Sequence, residues 1–247
     1  MARYLIGIDD TDDLNSRGTG FRTRDLTRLV HLEKLANVSH ISRHQLYVHQ
    51  DIPFTSHNSS ACLNIETEDI EQFKGFCVDY LVKESAKVSD VGLCIAPYDQ
   101  ISGKIINWGK RAKIEILTQE EAYRIACEEG IYLEGFLGTK GGIIGALAGV
   151  GLRKTGGDGR FFWINHVDLR ELNGIYLTKE LLEKGGFDQV ISKTGEKVNS
   201  TDRIFTGEWL RPVLQNNLVT VLVEPHLNNN EYEWNIVSKE YIRSISD

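Results

Sequence analysis

Tyr4-Leu5-Ile6-Gly7-Ile8-Asp9-Asp10-Thr11-Asp12-Asp13 decides how this chain is read. Its first half is apolar and β-prone, which predicts a buried strand ending in a cluster of carboxylates. Strand ends in α/β sheets open into the crevice where ligands bind. Carboxylates crowded there repel one another unless a cation, typically Mg²⁺, sits among them. Such an ion can bridge nucleotide phosphates and stabilise charge during phosphoryl transfer. If the extended backbone continues, Asp10 and Asp12 share one side and Asp9 faces the other. The same residues also fit an acidic turn capping the next segment, with Thr11 as its turn hydroxyl. A D-x-D phosphatase built on Asp10 and Asp12 is a third reading. It needs a later Lys and a further acidic pair, and Gly156-Gly157-Asp158 offers no acidic partner.

Working outward, Thr23 to about Ala36 predicts a helix, and Ser39–His49 and Ala61–Glu66 predict strands. Ile70, Phe73, Cys77, Tyr80 and Leu81 recur at helical spacing over residues 69–84, and Val91–Ala96 returns to a strand. This alternation predicts an α/β or α+β layer around one sheet. Thr118-Gln119-Glu120-Glu121 is a capping box opening a helix that stops at Gly130. Gly141, Gly145 and Gly149, four apart, form a smooth helical stripe on which another backbone can rest. Lys140 and the amides at the start of that helix would hold an anion, although the Walker A order is absent. Lys154–Arg160 reads as a hairpin turn, Thr178–Lys184 as a helix and Leu218–Val223 as a buried strand. A boundary after residue 113 separates an Mg-ATP-binding region, 1–113, from a C-terminal α+β region, 114–247, that contains the glycine-rich helix.

With 41% hydrophobic and 26% charged residues, the 247-residue chain is ordinary globular material. Its net charge of −7 argues against a nucleic-acid coat while leaving room for a local basic patch. No run approaches the roughly 18 apolar residues of a membrane span, and the opening residues do not read as a secretory signal. A cytoplasmic, membrane-free location is expected. Cys62, Cys77, Cys94 and Cys127 lack paired spacing and read as small buried hydrophobes, not as zinc ligands or disulfides. His40, His44 and His49 read as polar strand residues. Trp108, Trp209 and Trp234 are of a kind that can stack a base, but core packing is the commoner use. Lys110, Arg111 and Lys113 read as a solvated basic face.

Gly7-Ile8-Asp9-Asp10-Thr11-Asp12 followed by Arg17-Gly18 resembles the G-I-D-D-T-D-S…R-G opening of the archaeal tRNA-isoleucine agmatinylcytidine synthetases. Asp51-Ile52-Pro53-Phe54 resembles their I-P motif, and the segment from Gly141 to Gly151 their G-R-G-L-I-G-A-L-A-A-V-G run. Order and approximate spacing agree over about residues 4 to 152. The resemblance implies a ligase-like enzyme that uses ATP and Mg²⁺ to phosphorylate the wobble cytidine of a tRNA before agmatine is installed. It also implies a kinase-like domain followed by a ferredoxin-like or similar α+β region. Carried over residue by residue, Asp9, Asp10 and Asp12 would be catalytic and hold Mg²⁺, with Thr11 and Gly18 in the same ATP-binding loop. His57 stands where the family keeps a basic side chain, and with Lys140 it is a candidate for the anionic ligand.

Departures from the family pattern are equally specific. The family's G-M-C-T-T is here Gly18-Thr19-Gly20-Phe21-Arg22, so its phosphorylated threonine has no clean counterpart, although Thr19 and Thr23 lie nearby. Residues 52–60 lose both basic residues of the I-P-x-K-T-R-G-N-G segment. The OB-fold and zinc ribbon that grasp tRNA are not expected in this chain. ATP is therefore the first expected partner, followed by tRNA or another nucleotide-containing substrate, with RNA binding supplied by a separate protein if needed. A nucleotide-binding or regulatory paralogue without turnover is the alternative, and a metal-dependent phosphatase ranks last.

Overall fold

Strand β1 (Ala2–Asp9) is buried on both faces through Leu5, Ile6, Gly7 and Ile8, as a strand at the centre of a covered sheet must be. The computed structural model describes residues 1–55, 57–226 and 231–246. After β1 come α1 (Thr19–Leu32), β2 (Asn37–Gln45), β3 (Ser59–Thr67), α2 (Ile70–Glu84) and β4 (Gly92–Pro97). Then follow α3 (Gly103–Arg111), α4 (Gln119–Glu129), β5 (Tyr132–Gly135) and α5 (Ile143–Lys154). The sheet order is β5-β4-β1-β3-β2, antiparallel throughout. Residues 2–97 thus have the β-α-β-β-α-β order of a ferredoxin-like fold. The chain is a mixed α/β protein as expected, but this order opens the chain and contains the acidic loop; it does not follow residue 113.

Two layers of helix cover the sheet. Helices α1 and α2 contribute Leu26, Val30, Phe73, Cys77 and Leu81, all buried. On the face of Leu5, Cys62, Cys94 and Ala96, α3, α4 and α5 add Ile105, Trp108, Ile125, Ala146, Ala148 and Val150. Helix α5 comes so near the sheet that a Cβ at Gly7 would overlap the Ala146 carbonyl, and one at Gly92 the backbone of Gly142. Gly145 and Gly149 do lie within the helix, but what fills the space beside them is the Asp9 carboxylate and the Ser60 side chain; the close backbone approach is made at Gly7 and Gly92 instead, and Gly141 lies before the helix begins.

The described chain forms two units, Met1–Thr155 and Gly156–Asp247, so the division falls 42 residues after the expected 113/114 boundary. The reason is α5, which packs against β1, β3 and β4 and keeps the glycine-rich segment with the first sheet. Lys154–Arg160 is the connection from α5 into the second unit, not a hairpin. Within that unit lie β6 (Arg160–Ile164), β7 (Val167–Asp168), β8 (Ile175–Leu177), α6 (Thr178–Gly185), β9 (Gln189–Ser192) and β10 (Arg203–Phe205). They are followed by β11 (Val213–Gln215), β12 (Leu218–Pro225), β13 (Trp234–Ile236) and α7 (Lys239–Ser246). Asn165-His166 and Asn216-Asn217 take the positive φ pairs of type I′ turns, joining β6 to β7 and β11 to β12.

Several local expectations shift. Helix α1 starts at Thr19, with Gly18 at its N-cap, and buried Thr23 lies inside the helix, its hydroxyl donating to the Thr19 carbonyl at 3.1 Å. Thr118 does cap α4, accepting from the Glu121 amide at 3.3 Å. Arg111 is tied to Glu115 and to Glu121, at 2.9 and 2.6 Å, so it belongs to an ion-pair network. Cys62, Cys77 and Cys94 are buried, and burial raises their thiol pKa values, that of Cys62 to about 12; Cys127 is exposed. Trp108 is a core residue whose indole N–H donates to the Ile144 carbonyl at 3.1 Å. Among the described residues no helix is long and apolar enough to cross a membrane.

Candidate functional site

β1 ends at Asp9, and Asp10 turns the chain with φ +53. That left-handed residue breaks the strand alternation, so Asp9 and Asp10 line the same cavity and do not face opposite ways. The Asp9 carboxylate occupies the volume that a side chain at Gly145 would need, and Oδ1 accepts from the Asp10 amide at 2.9 Å. Burial raises the pKa of Asp9 well above the usual carboxylate range, and nearby Asp10 and Asp12 add to the rise. Asp10 is pushed up to about 6, first by burial and then by Asp90 and Asp12. This pair has less compensation than its charge requires, and a proton or a cation can supply it.

Asp12 is held differently. Its Oδ1 accepts from the Thr19 amide and hydroxyl at 3.2 and 3.1 Å, and Oδ2 accepts from the Thr55 hydroxyl at 2.8 Å. The Thr19 oxygen in turn accepts from the amide and hydroxyl of Thr11, both at 3.2 Å. Asp12 therefore satisfies the first amide of α1 from outside the helix, which explains why the helix starts four residues before Thr23. Thr19→Val should remove three of these hydrogen bonds in a buried setting at nearly constant shape. The expected loss is about 1–3 kcal/mol in urea unfolding, and an unchanged midpoint would mean the network is not structural.

The cavity at Asp9 and Asp10 has a volume of about 230 Å³ and aliphatic walls from Leu46, Ile52, Ile116, Leu117 and Ile144. Asn58 and Gln119 bring amide groups to it. A second cavity of about 450 Å³, lined by Asp12, Thr55 and Phe54, shares Asp10, Pro53 and Asp90 with the first. Asp90 had no local sequence signal, because it reaches the site from the segment before β4. Its carbonyl accepts from the Gly142 amide at 2.7 Å, and its carboxylate takes the Thr139 amide. The amides expected to greet an anion at the start of α5 are thus partly used by Asp90.

Lys140 is exposed, with φ +66, in the loop beside Thr139, and lines neither cavity; exposed His57 likewise lines neither. Gly18 is exposed at the N-cap of α1. The sequence-predicted residues thus divide into Asp9 and Asp10 in the cavity, Thr11 and Asp12 in the loop that supports it, and Gly18, Lys140 and His57 outside. His40, His44 and His49 do not converge: buried His44 pairs with Ser42 at 2.8 Å and His49 stacks on Tyr47. Among the described residues no group of three or more His, Cys, Asp or Glu side chains is arranged to hold a metal ion.

No family model matches the sequence, and no curated protein matches it. Solved structures do. Apo TiaS, an agmatidine synthetase acting on an isoleucine tRNA, superposes with a TM-score of 0.54 at 19% identity, over 60% of this chain and 35% of that one. The complex of TiaS with that tRNA and ATP gives 0.54 at 22%, over 61% and 36%. The complex of TiaS with the tRNA, AMPCPP and agmatine gives 0.53 at 22%, over the same shares. At this identity the likeness establishes the fold, and it spans about a third of the length of those proteins.

Proposed function

We propose that this chain is an ATP- and Mg²⁺-dependent, ligase-like enzyme that activates an oxygen atom by phosphoryl transfer, with a tRNA nucleotide as acceptor. The observation that carries this reading is the pair Asp9 and Asp10, whose carboxylates meet under-compensated in one cavity at the end of the central strand. Two carboxylate ligands suit Mg²⁺, which usually keeps several waters and takes its remaining ligands from phosphates. Bound there, Mg²⁺ would neutralise charge on the transferring phosphoryl group.

In this reading Asp9 and Asp10 hold the ion, and Asp12, both of whose oxygens are already engaged, fixes the loop together with Thr11 and Gly18. Lys140 and His57, exposed and lining neither cavity, are the basic side chains that would meet an anionic part of the ligand extending out of the site. The aliphatic cavity takes the apolar part of a ligand, and the adjoining cavity gives it room to extend past Asp10. That TiaS is seen with an isoleucine tRNA, ATP, AMPCPP and agmatine supports the choice of nucleotide and acceptor.

ATP consumption measured with and without Mg²⁺ and bulk tRNA tests the proposal. Turnover requiring both is expected. Tight Mg²⁺-ATP binding without turnover would favour the regulatory paralogue, and hydrolysis of a generic phosphomonoester without ATP would favour the phosphatase.

A further inference from the structure

The second unit carries an aromatic and cationic face that the site above does not use. Trp209 and Tyr241, both half-buried, pack on one small core of Val213, Leu222, Val237 and Ile242. Arg211 and Lys239 stand 5.3 and 5.8 Å from the centre of the Trp209 ring; Arg160, 6.0 Å from it, is buried and donates to the Ser246 hydroxyl at 2.8 Å, so it is not part of the face. Lys193 stands 4.5 Å from that of Tyr241. The surrounding unit is acidic, with ten Lys and Arg against fourteen Asp and Glu in Gly156–Asp247. Glu224 offsets Lys193 at 3.7 Å, and Glu208 and Glu240 are the acidic neighbours in sequence of Trp209 and Lys239.

We propose that this face binds a single RNA strand, with bases stacking on Trp209 and Tyr241 and phosphates meeting Lys239, Arg211 and Lys193. Every base has a π face, so aromatic platforms with flanking cations hold single strands with little sequence preference. An acidic peptide would use the cations and leave both rings idle. The choice of RNA rests on the tRNA-acceptor reading above; the stacking and phosphate chemistry do not depend on it.

The test is fluorescence anisotropy of a short labelled oligouridylate with the full chain across a salt series. Trp209→Leu should weaken binding about 5- to 150-fold. Lys239→Gln, at an exposed helix position, should weaken it without altering the fold, so this variant decides if Trp209→Leu unfolds. Lys239→Gln combined with Arg211→Gln should flatten the salt dependence by about 1.4 in log–log slope. Affinity that ignores Lys239→Gln and the double variant overturns the proposal. So does polyglutamate binding more tightly than oligouridylate with the same sensitivity, which would make the face an acidic-peptide site. A Mg²⁺-ATP melting shift read on the same samples separates the two readings. If that shift is absent from wild type while oligouridylate binding follows Lys239 and Trp209, the ATP reading fails and this surface stands.

Discussion

Gly7→Ala is expected to cost about 3 kcal/mol or more of stability and to lower the melting temperature by roughly 10 °C. The added methyl would lie inside the Ala146 carbonyl, and neither the central strand nor α5 can withdraw without opening the core between them. Gly145→Val meets side chains instead, driving into the Asp9 carboxylate and against Leu46, so it should lose nucleotide binding together with stability. Gly75→Ala is the control. It is an exposed helix position with open space around it, where alanine should gain about 0.5–1 kcal/mol. Equal melting temperatures for Gly7→Ala and wild type would show that α5 does not rest backbone-close on the sheet.

The second large effect is expected at Asp10. A ligand that binds only the folded state raises stability by about 2.7 kcal/mol at a hundredfold excess over Kd, so wild type should melt higher with Mg²⁺-ATP than with ATP and a chelator. Asp10→Asn should lose that increment. Without ligand the pH dependence has a definite sign. Asp10 titrates near 6 in the folded protein, above its ordinary value of 3.8. As pH rises between these values the unfolded chain gives up its proton first, and stability falls. Allowing for the partial exposure of Asp10, the fall is about 1–2 kcal/mol, complete somewhat above pH 6. Asp9, shifted in the same direction, adds to it. The difference between wild type and Asp10→Asn in urea midpoints from pH 4 to pH 8 isolates the contribution. Parallel profiles, or a variant that keeps the whole ATP increment, would reduce the carboxylates to an acidic turn.

Residues 4–13 made the central strand and the carboxylate-bearing loop at its end legible, because an apolar β-prone run followed by four carboxylates must leave the sheet where they begin. Helix α2 showed in its apolar spacing, and α4 in its Thr118 cap and the Gly130 stop. What stayed hidden is what the chain brings together through space. Thr55 and Asp90 reach the site from segments 43 and 78 residues beyond Asp12, and no local pattern marks them. Gly7 and Gly92 look like weak strand residues until α5 is laid across them. The boundary expected after residue 113 has the same origin: α5 lies beyond it in sequence but packs on the first sheet, a contact no local pattern marks. Helix α3 leaves little signal because Ile105 and Trp108 alone make too short a periodic run.

Strand β1 is synthesised before every element that covers it and is completed last. Its neighbours in the sheet come from residues 59–67 and 92–97, and the helix over its Asp9 face ends at Lys154. At about 5–20 residues per second, roughly 7 to 30 s separate the synthesis of Asp9 from that of Lys154. Both edges of the apolar strand stay open until residues 59–67 emerge and one until residues 92–97 do, and its α5 face stays uncovered to the end of the interval, the condition in which nascent chains need chaperones. Chains stalled or truncated before Lys154 should therefore be insoluble instead of merely inactive.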